Sequence, residues 1–240
     1  MRNCFLSIDW DYFIKVHTER SNSYRETQRD ILGKWYNEFL MDIEKGKQLE
    51  VDYALGCIYE AFMKNVLPKL QIEENIPFIL SESHAVAYEV TCQQKCDAVY
   101  LLDAHSDLGY GGIEALNYEV NCANWLGMLL KENRIKEAFI VYSPYTKEYI
   151  EEFQEVISAY PIHFISLEEL LAKDISFSTV HMCRSGPWTP PWYDQKFYDL
   201  VDQLTLYFHL RCVDGVGGKR KWNPRRLSLA EKINYQLGIV

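Results

Sequence analysis

Short, mostly apolar runs recur along the chain at residues 4–8, 77–80, 98–102, 138–142, 162–165 and 179–183. Each fits a strand covered on both faces, the condition met in a parallel sheet. Amphipathic stretches lie between them, at residues 24–45, 53–69, 84–92, 121–132, 147–160, 167–173 and 193–210. From residue 77 onward the alternation is regular, which implies right-handed crossovers in a doubly wound sheet. The expected fold is therefore α/β, a three-layer α/β/α domain around a mostly parallel sheet. The consecutive helical patterns at 24–45 and 53–69 make an α-helical insertion, about residues 24–70, after the first strand. No repeat, low-complexity segment or Gly/Ser-rich linker interrupts the 240 residues, which suit one domain over 1–240.

In such sheets the ligand site lies outside the carboxyl ends of the strands. Asp9 and Asp11 close the first run, His84 follows the second and Asp103 closes the third. The third run ends abruptly in Asp103-Ala104-His105-Ser106-Asp107. Carboxylate oxygen and imidazole nitrogen suit manganese, zinc or iron. A histidine between two aspartates at a buried strand end is costly without a partner, whereas a solvated loop with capping aspartates is the bland alternative. Asp9 and Asp11 share one strand face at period two, flanked by Trp10, Tyr12 and Phe13. Like charges in that setting repel and lose hydration unless a cation holds them; a helix N-cap is the competing reading. His84 is weak alone and gains weight beside the other two segments. His17, His163, His181 and His209 lack such context and read as structural. Together Asp9, Asp11, His84, Asp103, His105 and Asp107 can hold two carboxylate-bridged ions about 3.5–4 Å apart, an arrangement that acidifies a bridging water. No Ser-His-Asp order, P-loop or dinucleotide fingerprint competes.

The net charge of -9 argues against broad nucleic-acid binding, because phosphate contacts need a cationic surface. The basic run Lys219-Arg220-Lys221, with Arg225 and Arg226, reads as a solvated loop; the sharper alternative is a docking site for an acidic peptide. The 7 cysteines are odd in number and show no framework spacing, so reduced thiols of a cytoplasmic protein are expected. No signal peptide and no run of ~20 apolar residues is evident. The 17 Tyr and 6 Trp fit either a peptide-binding surface or a thick aromatic core.

The metal-type segments resemble those of the arginase/agmatinase/deacetylase superfamily, and more closely its arginase-like branch. That branch includes the peptide arginases, which convert arginine to ornithine within ribosomally made peptides. The resemblance is carried by LSIDWDYF, SESHAVAYEV, YLLDAHSDL, NCANWL and CRSGPWTPP. It implies one ion held by His84, Asp103, Asp107 and Asp9, and a second by His105, Asp103, Asp9 and Asp11, with Asp103 and Asp9 bridging. The ions implied are two Mn²⁺, which zinc can replace. Asn124, or nearby Cys122, falls near the place where arginases keep a proton-shuttling histidine. Asp107, Asn124 and Glu82 are the expected catalytic residues, and Arg184, Trp188 and Asp194 the expected substrate-binding ones.

Three departures from the arginase pattern stand out. The Asp-x-Asp strand opens the chain instead of following Asp103–Asp107, as in a circular permutation. No histidine occupies the shuttle position. Arg184 sits about where arginases place a guanidinium-binding glutamate, so Glu82, Glu119 or Asp194 has to supply that charge. The implied activity is hydrolysis of peptidyl arginine to ornithine and urea. A zinc-type amide hydrolase of the deacetylase kind and a non-catalytic metal-binding module are the alternatives. The expected partner is a peptide or small-molecule substrate, a precursor peptide among them; a homo-oligomer is compatible, and neither nucleic acid nor a membrane is expected. The aromatics Trp10, Tyr110, Trp125, Trp188 and Trp192 suit a long ligand if they surround the site, and the core if they do not.

Overall fold

A computed structural model describes residues 2–17, 31–205 and 209–239; the first part of the expected 24–45 helix lies outside them. Strand β1 (Cys4–Asp9) is buried throughout and runs into a 3₁₀ turn, Trp10–Phe13. Strand β2 (Ile14–Val16) follows, then helix α1 (Ile31–Glu44), strand β3 (Tyr53–Leu55) and helix α2 (Ile58–Ala61). After these come β4 (Pro77–Ser81), α3 (Val86–Gln94), β5 (Ala98–Asp103), α4 (Trp125–Lys131), β6 (Glu137–Tyr142) and α5 (Gln154–Ala159). The chain continues through β7 (Ile162–Phe164), α6 (Leu167–Ala172), β8 (Phe177–Cys183), α7 (Asp194–Thr205), β9 (His209–Cys212) and α8 (Leu229–Leu237).

Seven strands form one sheet in the order β7-β6-β5-β1-β8-β4-β9, every pair parallel. The fold is thus α/β with a parallel sheet, consistent with three α/β/α layers. Successive residues of a strand face opposite sides, and the core divides accordingly. Leu6, Ile8, Leu80, Tyr100 and Leu102 belong to one apolar cluster. Phe5, Ile79, Val99 and Leu101 belong to the other, with α4 and its Trp125. The first strand lies inside the sheet, between β5 and β8, with Ile8 opposite Leu102.

Two of the differences from the periodicity turn expected helix into strand. Residues 53–55 are a strand rather than the start of a helix, pairing antiparallel with Ile14–Val16. The reason lies at Gly56: its N–H donates to the Phe13 carbonyl, and a Cβ there would strike the Tyr145 ring at 2.1 Å. Backbone packed that closely fixes an extended entry, and the helical turns start only beyond it. The helix expected over 193–210 is described over Asp194–Thr205, and His209–Cys212 instead forms a strand beside β4.

Candidate metal centre

β1 and β5 are adjacent and parallel, so their carboxyl ends deliver Asp9 and Asp103 side by side. The 3₁₀ turn after β1 accounts for Asp11, whose backbone N–H donates to Asp9 Oδ1 at 3.0 Å. His84 arrives from the loop after β4, which is held by Asp214: its carboxylate accepts from the N–H groups of Glu82 and Ser83 at 2.7 and 2.9 Å. Asp107 sits in the left-handed backbone region, φ +53°, a strained conformation for a non-glycine residue and common at functional sites.

The six sequence-derived residues come together. His84 Nδ1 lies 3.0 Å from a carboxylate oxygen of each of Asp9, Asp103 and Asp107. His105 Nδ1 lies 2.8 Å from Asp11 Oδ2 and 3.5 Å from Asp103 Oδ1. Two groups result, Asp9–His84–Asp103 and Asp11–Asp103–His105, each with its ligand-type atoms within 4.8 Å of one another. Asp103 is common to both and turns one oxygen to each histidine; Asp9 falls in the His84 group alone.

The donor set fits a cation. His84 Nδ1 and Asp103 Oδ2 are buried and make no hydrogen bond, an expensive state for polar atoms. Burial, then the charges of Asp11, Asp107 and Asp9, drive the Asp103 carboxyl well above the usual range. Burial and Asp11 likewise raise Asp9. Burial lowers the affinity of His84 and His105 for a proton, but the surrounding carboxylates outweigh it and raise both well above the ordinary value. Burial pushes Asp11 up, yet His105 beside it wins and lowers it. Carboxylates crowded to this degree call for positive charge, which a divalent ion supplies.

Neighbouring groups fix the ligand-type side chains. Ser185 Oγ donates to Asp9 Oδ2. Trp125 Nε1 donates to Asp107 Oδ2 at 2.5 Å. Ala104 N–H donates to Asp11 Oδ1 at 3.2 Å, and His105 N–H to Asp103 Oδ1 at 2.8 Å. Behind His84 lies Ser7, whose Oγ is 2.8 Å from His84 Nε2 and 2.9 Å from His181 Nδ1. His181, expected to be a core residue without a role at the site, is therefore linked to the centre. Burial holds it well below the ordinary imidazole range.

The side chain of His105 is 40 % exposed and opens on a pocket of about 240 Å³ lined by Asp11, Tyr110, Tyr145, Glu148 and Trp188 among others. That volume admits one long side chain rather than a large cofactor. Glu148, which sequence reasoning placed on a helix, stands in the loop after β6. Its Oε2 accepts from Ser106 N–H at 2.8 Å and Tyr142 OH at 2.9 Å, its Oε1 from Tyr110 OH. Burial raises its carboxyl above the usual range.

Glu82, Arg184 and Asp194 are all buried and bind one another. The Arg184 guanidinium donates to Glu82 Oε2 through Nε at 2.8 Å and through a second nitrogen, and to Asp194 Oδ2 at 3.3 Å. Arg220 completes the network, donating to Asp194 Oδ1 at 2.6 Å. The basic run is thus not wholly a solvated loop, since Arg220 binds a buried carboxylate. Asn124 is buried with its amide spent on the preceding loop, accepting from Asn121 N–H and donating to the Glu119 and Ala115 carbonyls. Glu119 is exposed. Trp188 and Tyr110 line the pocket. Trp10 and Trp125 are instead fully buried, and Trp192 packs on Trp35 and Trp222. No disulfide joins any of the cysteines. Among the described residues no helix is long and apolar enough to cross a membrane.

The chain matches no known protein-family model, no curated protein and no solved structure.

Proposed function

We propose that this protein is a binuclear-metal hydrolase that converts peptidyl arginine to ornithine and urea. The observation that carries the metal reading is Asp103, shared by two His/Asp groups and left with an unsatisfied buried oxygen. In this reading His84, Asp9, Asp103 and Asp107 hold one ion, and His105, Asp11 and Asp103 the other. Two divalent ions supply a water of lowered pKa and positive charge beside the bond under attack. All donors are carboxylate or imidazole, which favours manganese, with zinc as a substitute.

The chain's own residues then bind and orient the substrate. The pocket beside His105 receives the arginine side chain, with Trp188 and Tyr110 as flat walls for the guanidinium. Glu148 is the carboxylate assigned to it. Glu82 and Asp194 are bound to Arg184 and Arg220, so they shape the Gly186–Trp188 loop instead. Water adds to the guanidinium carbon, the bond to the side-chain nitrogen breaks, and that nitrogen takes a proton to leave as the ornithine amine. Likeness to the arginase-like branch supports the choice of guanidinium over other C–N bonds, and exposed Tyr110 beside half-buried Tyr145 and Trp188 supports a peptide over the free amino acid.

The test is manganese-loaded protein given arginine-containing peptides, free arginine and acetyl-lysine peptides. Urea from the peptides alone is expected. Deacetylation without urea would transfer the assignment to an amide hydrolase, and turnover of none of them would leave a metal-binding module.

A further inference from the structure

A chain of hydrogen bonds leads from His84 away from the carboxylates. Ser7 Oγ lies between His84 Nε2 at 2.8 Å and His181 Nδ1 at 2.9 Å. Ser81 Oγ lies 2.8 Å from His181 Nε2 and donates to the Ser83 carbonyl at 2.8 Å. Ser7, Ser81 and His181 are all 0 % exposed and His84 is 2 % exposed. Three strands build the relay: Ser7 and His181 are register partners on β1 and β8, and Ser81 ends β4.

Counting hydrogens sets its direction. A carbonyl oxygen only accepts, and a hydroxyl has one hydrogen to give. Ser81 spends its hydrogen on Ser83, so toward His181 it accepts, and His181 carries a proton on Nε2. Among the described residues no carboxylate touches His181; its ring packs on Phe5 and His84, and a buried charge without a partner is costly. His181 is therefore neutral, its Nδ1 is bare, and Ser7 donates to it. Ser7 can then only accept from His84 Nε2–H. With Nε2 committed to Ser7, Nδ1 is the ring nitrogen of His84 left for a cation, which would replace any proton drawn there by Asp9, Asp103 and Asp107, each 3.0 Å away.

We propose that His181, acting through Ser7, is a positioning residue that places the proton of His84 on Nε2 and so presents Nδ1 as the metal-binding atom. The proposal rests on the metal-centre reading above. A partner that orients a ligating histidine and raises its basicity typically contributes ten- to a hundred-fold to metal affinity.

The experiment titrates Mn²⁺ calorimetrically into metal-stripped wild type, Ser7→Ala, His181→Phe and His181→Asn, each checked for folding by circular dichroism. Ser7→Ala and His181→Phe should bind roughly ten- to a hundred-fold more weakly. His181→Asn, whose amide oxygen can accept from Ser7 where Nδ1 did, should recover most of the loss. A second readout needs no variant to fold: ¹⁵N NMR of the ring nitrogens of metal-stripped wild type should show His181 protonated on Nε2 alone. A proton on Nδ1, or undiminished Mn²⁺ affinity in His181→Phe, overturns the relay while the metal centre stands. A wild type that binds no Mn²⁺ overturns the metal centre and this proposal with it.

Discussion

Nδ1 of His84 lies 3.0 Å from Oδ2 of Asp103, yet neither atom makes a hydrogen bond. Two buried polar atoms face each other with their affinities unspent. A cation between them would satisfy both, and the other oxygen of Asp103 faces His105. Asp103 should therefore matter to two ions and Asp11 to one. Elemental analysis of manganese-loaded protein is expected to give about two ions per chain in the wild type, about one in Asp11→Asn and almost none in Asp103→Ala. Equal retention in the wild type and Asp103→Ala would remove the centre from this edge of the sheet.

Metal should also act on stability, because the carboxylates converge only in the folded chain. Mn²⁺ at a thousand times its dissociation constant stabilises by about 4 kcal/mol, roughly 8–16 °C of melting temperature for a chain of this size. The shift should vanish in Asp103→Ala. A wild-type melting curve indifferent to Mn²⁺ would contradict the reading.

Arg184 tests the ground beneath the site. Its guanidinium lies between Glu82 and Asp194, all nearly inaccessible. Truncating one partner of such a network leaves buried charge uncompensated, at a cost of about 3–5 kcal/mol. Arg184→Ala is expected to lose that much in urea denaturation. Gly186→Ala should be damaging as well, since a Cβ there would meet Glu82 Oε1 at 1.9 Å. A loss for Arg184→Ala below about 1 kcal/mol, the range of an exposed pair, would show the network to be solvated.

The paired ends of β1 and β5 were legible in the sequence because strands buried on both faces are written as unbroken apolar runs, and an aspartate closing such a run is conspicuous. β9 is an edge strand with Leu210, Arg211 and Cys212 exposed, so His-Leu-Arg-Cys carries no such pattern, and its first two residues read as the tail of a helix. His181 gave no signal because its partner, Ser7, is set by sheet register and lies 174 positions away. Glu148 was hidden for a related reason: its partners Tyr110, Ser106 and Tyr142 meet only after β5 and β6 pair. Trp10 and Trp125 stayed open between ligand wall and core, because composition does not tell which way an aromatic faces; both are core.

Alkaline pH should loosen the fold around the Asp9–Asp11 turn. Tyr59 packs edge-on against Trp10, and Tyr12 is buried within the turn. Burial pushes each phenol from 10.0 up to about 12, with Asp199 adding for Tyr59 and Glu168 for Tyr12. A group with a raised folded pKa keeps its proton in the folded chain after the unfolded chain has lost it. Its contribution is whole below the unfolded value and is lost as pH rises through the folded one. Urea midpoints of metal-free protein should thus fall between pH 10 and 12. Tyr59→Phe, which cannot ionise, should flatten that fall although it gives up the hydrogen bond to the Lys196 carbonyl. An equally steep fall in Tyr12→Phe and Tyr59→Phe would assign the effect to other groups.

Glu148 offers the sharpest test of the substrate. It lines the pocket beside His105 and Asp11, where a cationic side chain would meet the metal centre. Glu148→Gln keeps an oxygen for Ser106 N–H and removes the negative charge. A hydrogen bond to a charged group contributes about 1.5–3 kcal/mol, so kcat/KM on arginine peptides should drop roughly 10- to 150-fold. Manganese content should stay at the wild-type level, because the backbone contact that holds the loop between His105 and Asp107 survives. Trp188→Ala should raise KM and leave kcat nearly unchanged, as expected for a wall that binds ground and transition states alike. If Glu148→Gln lost its metal together with its activity, the carboxylate would be a brace for the Ala104–Asp107 loop and not the anchor of a guanidinium. If it kept both, the cation would have to be recognised elsewhere in the pocket.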